Sequence, residues 1–150
     1  MANTQETVEI LNDLIEINND RIKGYEKAIK DIEDDTQLKA IFTEKIGESH
    51  QFKLALAKEV EVLGSDEATG TSFSGDLHRT WLDIKAKFTS HSDKSVLEEC
   101  EFGEDAIKKA YDEALQNENL PAFIKDILSD QLDILITSHD EIKALRDNAI

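Results

Sequence analysis

The stretch 64–92, GSDEATGTSFSGDLHRTWLDIKAKFTSHS, constrains the fold more than any other part of this chain. Two long helical patterns precede it and two follow it. Its first part is rich in Gly, Ser and Thr, residues of loops and turns. Its second part, 75–88, places Leu77, Trp81, Ile84 and Phe88 on one face of a short helix. A connection of this length carries the chain back along a bundle, so that the second and third long helices run parallel. The fold expected is therefore all-α: a ferritin-like four-helix bundle with a long crossover between its second and third helices. Trp81 is expected to be largely buried against it.

The four long patterns have the alternating steps of three and four that an apolar stripe requires. The first, 5–33, carries Val8, Leu11, Ile15, Ile22, Tyr25, Ile29 and Ile32, with Asn18 as the polar interruption. Asp34 and Asp35 mark a turn, and either can cap the next helix. The second, 36–63, carries Leu38, Phe42, Ile46, Phe52, Leu56, Val60 and Leu63 and stops at Gly64. Its centre is polar, with Ser49, His50 and Gln51 together. The third, 93–117, has Cys100, Ile107 and Tyr111 on its stripe, with Gly103 or Glu104 between them, and Ser95 and Glu98 at capping-box spacing. The fourth, 121–147, opens at Pro121 and carries Ile124, Ile127 or Leu128, Ile134 or Leu135, Ile142 and Leu145, interrupted by Gln131 and Ser138. One domain over 1–150 is expected.

Each helix thus has polar groups near its centre, and buried polar groups cost stability unless they are paired. Asn18, Ser49, Gln51, Glu104 and Gln131 are expected to form a mid-bundle layer that hydrogen-bonds internally and fixes helix register. The alternative is a non-standard metal site. Its candidate ligands are Asp20, Glu26, Glu48, His50, Glu101, Glu104 and His139, and its ion would be Fe, Mn or Zn.

A conventional di-iron centre needs Glu-x-x-His pairs, which put two ligands on one helix face. The residues three before the four histidines are Gly47, Gly75, Phe88 and Ile136, so no such pair exists. No phosphate loop, nucleophile elbow or paired zinc ligands are present either, and no catalytic residue is assigned. No cofactor is expected. The single cysteine, Cys100, lies on an apolar stripe and reads as an inert buried thiol.

The formal net charge of −16 argues against nucleic acid or an anionic membrane as partner. The N-terminus lacks a basic region followed by an apolar block, so a cytoplasmic location is expected. Long helices with wide faces suit self-association, with a dimer as the default.

The segments LNDLIEINNDRIKGYEKA, GTSFSGDLHRTWLDIK, VLEECEFGEDAIKKAYDEAL and SHDEIKALRD, in this order, resemble a bacterial ferritin-like family known only as a domain of unknown function. The pairing of Gly75-Asp76-Leu77-His78-Arg79-x-Trp81 with Glu101-x-Gly103-Glu104-Asp105 carries the resemblance. It implies a ferritin-like bundle without an assigned activity. Some members of that superfamily bind two metals, store iron or respond to stress. Without the Glu-x-x-His pattern, ferroxidase activity does not carry over. The function expected is a non-enzymatic, self-associating or partner-binding protein, with a role in stress adaptation as the resemblance's suggestion.

Overall fold

The computed structural model describes residues 2–32, 35–63 and 93–148, which form four helices and no strand. They are α1 (Ala2–Asp31), α2 (Thr36–Val62), α3 (Asp93–Leu115) and α4 (Ala122–Asn148). The first starts earlier than the periodicity suggests, and the others agree to within two residues. The expected crossover helix over 75–88, with His78 and Trp81, lies outside the described residues, as does Gly64.

Local chemistry sets the helix ends. Asp35 has extended backbone angles and its carboxylate accepts the Leu38 amide at 3.0 Å, which caps α2. Between α3 and α4, the Asn117 side chain accepts the Asn119 amide at 2.8 Å. The Pro121 carbonyl then accepts the Ile124 and Lys125 amides as α4 begins. Glu6 of α1 receives the side-chain amides of Asn117 and Asn119, tying this turn to the start of the chain. These two bonds lower the Glu6 pKa.

The directions of the helices follow from which residues meet. On α1, Arg21 meets Ser49 and Tyr25 meets Phe42, so α1 and α2 are antiparallel. Asn18 meets Tyr111 and Arg21 meets Glu104, so α1 and α3 are antiparallel. Tyr111 meets Gln131 and Glu104 meets Ser138, so α3 and α4 are antiparallel. Consequently α2 runs parallel to α3, and α1 parallel to α4. The chain leaves α2 at one end of the bundle and enters α3 at the other.

Each helix buries an inner stripe, flanked on α1 and α3 by further buried residues such as Ile15, Ile17, Leu97 and Ala106. On α1 it is Leu11, Leu14, Asn18, Arg21, Tyr25, Ala28 and Ile32; on α2 it is Leu38, Phe42, Lys45, Ser49, Phe52, Leu56 and Val60. Cys100, Glu104, Ile107, Tyr111 and Ala114 continue it on α3, and Ile124, Leu128, Gln131, Leu135, Ser138 and Ile142 on α4. The sequence-based stripes assign Ile46 inward, yet it is only partly buried, and Lys45 takes the inner position. No described helix is long and apolar enough to cross a membrane.

Candidate functional site: a charged layer at the bundle centre

Two polar layers cross the bundle, about one helical turn apart on α1 and α2 and two turns apart on α3 and α4, and each draws on all four helices. The first is neutral. Asn18 donates from Nδ2 to the Leu14 carbonyl at 2.9 Å and to the Tyr111 hydroxyl at 3.0 Å. Tyr111 donates to Gln131 Oε1 at 2.6 Å, and Gln131 Nε2 donates to the Phe52 carbonyl at 3.4 Å. All three side chains are buried, and burial raises the Tyr111 pKa.

The second layer is charged and centres on Arg21, which has no solvent exposure. Its Nε donates to Glu104 Oε1 at 2.7 Å and its Nη2 to Glu104 Oε2 at 2.9 Å. Nη2 also faces Ser138 Oγ at 2.9 Å and Glu48 Oε1 at 3.1 Å. Nη1 donates to Ser49 Oγ at 3.0 Å and to the Lys45 carbonyl at 3.2 Å. A guanidinium carries five N–H donors, and here every one has an acceptor. Ser138 in turn donates to Glu104. The Tyr25 ring lies 5.5 Å from the Arg21 guanidinium carbon and covers its other side.

Electrostatics follow from this geometry. Burial is the largest single influence and disfavours the charged guanidinium, but Glu104, Tyr25 and Glu48 together outweigh it and the Arg21 pKa is raised. Glu48 is half-buried, and desolvation raises its pKa against the pull of Arg21. The Cys100 thiol is pushed well up by burial and by the nearby Glu104 carboxylate. It is buried beside the layer and, in its neutral form, unreactive. Lys45 is also buried, with its ammonium paired to Glu141 at the α2–α4 surface.

Of the residues expected in the layer, Asn18, Ser49, Glu104 and Gln131 are buried at the centre. Gln51 is exposed and takes no part. The inner stripe of α2 steps from Ser49 to Phe52, which turns Gln51 away from the axis. Arg21 and Tyr111 link the others, and Arg21 was absent from the expectation. Residues 98–105 form an acidic run on α3. Glu98 and Asp105 are exposed, but Glu104 is fully buried.

The candidate metal ligands separate into groups. Glu48 and Glu104 share Arg21. Glu101 and His139 come together on the α3–α4 surface with Asp105. Asp20 is buried, while Glu26 and His50 are exposed. His50 lines a shallow cleft with Ile15, Lys53, Leu54 and Ala57. Those seven residues therefore do not form one centre.

No curated protein matches the chain. A family model, described as Domain of unknown function (DUF2383), matches residues 6–117, which span α1, α2 and α3 and include Arg21 and Glu104. That match covers most of the chain, and the protein, all-α in its described residues, belongs to this family of domains of unknown function.

Proposed function

We propose that the protein is a non-catalytic, cytoplasmic bundle of ferritin-like topology that acts by self-association. One observation carries this reading: Arg21 stands at the centre with all its donors taken, and its main partner is Glu104. In a ferritin-like bundle the mid-bundle carboxylates would face metal. Here a guanidinium neutralises the buried carboxylate from within the chain. A cation entering between Glu48 and Glu104 would meet Arg21 and its positive charge, which counts against the mid-bundle metal site.

The parallel directions of α2 and α3 support the ferritin-like topology and its long crossover. With the interior given to structure, function falls to the outer surface. Leu54, Phe102 and Phe123 are at least half exposed, at 72%, 62% and 50%. Ile134 lies on the same face of α4 as Phe123, three turns along, and is also exposed. Apolar groups of this size on long helices suit docking against a second copy. The net charge of −16 supports a protein partner over nucleic acid or an anionic membrane. A part in stress adaptation rests on the family resemblance alone.

Size-exclusion chromatography with light scattering tests the reading. A dimer or larger species whose mass falls with dilution is expected. A strict monomer at high concentration would overturn it.

A further inference from the structure

Glu101, Asp105 and His139 present three ligand atoms within 4.8 Å of one another on the α3–α4 surface. Glu101 and Asp105 are four residues apart, so they share one face of α3. His139 projects from α4 and is 9% exposed. Its Nε2 lies 2.9 Å from Asp105 Oδ1 and 3.4 Å from Glu101 Oε2. Two donors bound at about 2.1 Å to one tetrahedral ion stand about 3.4 Å apart, so these spacings suit a shared cation.

The surroundings orient the three groups. His139 Nδ1 lies 3.1 Å from Asp140 Oδ1. A proton on Nδ1 directed to Asp140 leaves the Nε2 lone pair facing two carboxylate oxygens, an arrangement that needs a positive charge between them. Metal-bound histidines are commonly held through their second nitrogen in this way. Arg146 pairs with Glu101 Oε1, which leaves Glu101 Oε2 on the His139 side. Lys108 stands 3.8 Å from Asp105 Oδ1, too far to bond strongly.

We propose that Glu101, Asp105 and His139 form a binding site for a divalent transition cation of the Zn2+ class, which clasps α3 to α4. One imidazole and two carboxylates are a ligand set for such ions, with a coordination position left for water. The site lies on the outer surface at the height of the Arg21 layer, since Asp105 and His139 follow Glu104 and Ser138 in the chain, and it does not depend on the self-association reading. The competing account needs no metal: a proton on Nε2 donated to Asp105.

Isothermal titration calorimetry with Zn2+ on the untagged, metal-free full chain decides between them. His139→Gln and Asp105→Asn remove one ligand each. Asp126→Asn, at another exposed aspartate on α4, makes the same charge change as Asp105→Asn elsewhere. Circular dichroism checks that each variant folds, and Asp105→Asn suffices alone if His139→Gln does not. The wild type and Asp126→Asn should bind one Zn2+ per chain, and the ligand variants should bind about tenfold more weakly or worse. Thermal melting of the wild type should rise with Zn2+. Unaltered Zn2+ binding in the ligand variants, or no one-to-one binding in the wild type, would overturn the proposal. A monomeric protein that still binds Zn2+ would refute self-association and leave this site standing.

Discussion

The Arg21 guanidinium and the Glu104 carboxylate lie side by side, joined by two N–H···O bonds of 2.7 and 2.9 Å, with neither side chain exposed. The pair spans α1 and α3 and fixes their register. Its chemistry also changes what Glu104 means. A lone buried carboxylate would favour neutral replacement, and Glu104→Gln would then be tolerated. As the main partner of a buried cation, Glu104 cannot lose its charge without leaving Arg21 only the less buried Glu48 as counter-charge. Glu104→Gln should therefore lower stability by about 3–5 kcal/mol. Urea denaturation measures the loss; a stabilised variant would contradict the pairing.

The neutral layer makes a separate prediction. The Tyr111 hydroxyl accepts from Asn18 and donates to Gln131. Tyr111→Phe keeps the ring but leaves both amides without that partner. The expected loss is about 1–3 kcal/mol, the cost of stranding buried polar groups. Chemical denaturation should show it with little change in helix content.

Gly47 offers the opposite sign. It sits inside α2, on the exposed side, and a Cβ there would meet nothing within 4 Å. Gly47→Ala should raise stability by about 0.5–1 kcal/mol, because alanine loses less backbone freedom on folding. A lower denaturation midpoint would mean that the helix is not regular at this point.

High pH should unfold the protein through its buried acids. Burial raises the pKa of Tyr25 and Cys100 well above their ordinary values of 10.0 and 9.0, and raises that of Tyr111. In the unfolded chain these groups lose protons first. Their contribution to stability is full below about pH 9 and falls as pH rises further, by up to about 1.4 kcal/mol per pH unit for each group. The chain has two tyrosines, so phenolate absorbance reports directly. It should appear together with the loss of helix. Phenolate forming at pH 10 in an intact fold would contradict the burial.

The helices and much of their inner stripes were legible because apolar steps of three and four survive in the sequence. The missing piece was charge. From Leu14, steps of four and three reach Asn18, Arg21, Tyr25, Ala28 and Ile32, and every one is buried. Reading residue type before spacing takes Ile22, which is buried too, and leaves out Arg21 beside it. Lys45 was passed over for Ile46 for the same reason. Spacing alone, applied without regard to polarity, would have put Arg21 and Glu104 at one height. The surface trio was harder to see. Glu101 and His139 were both candidates, but only the packing of α3 on α4 joins them to Asp105.

A double-mutant cycle on Arg21→Met and Glu104→Leu tests the central claim most directly. The account holds that the pair closes the bundle centre as one structural unit. Each single change should cost about 3–5 kcal/mol, since it leaves a buried charge without its main partner. The double variant, with apolar groups in both places, should lose far less than the sum, with a coupling of at least about 1 kcal/mol. Additive losses in urea denaturation would contradict the account.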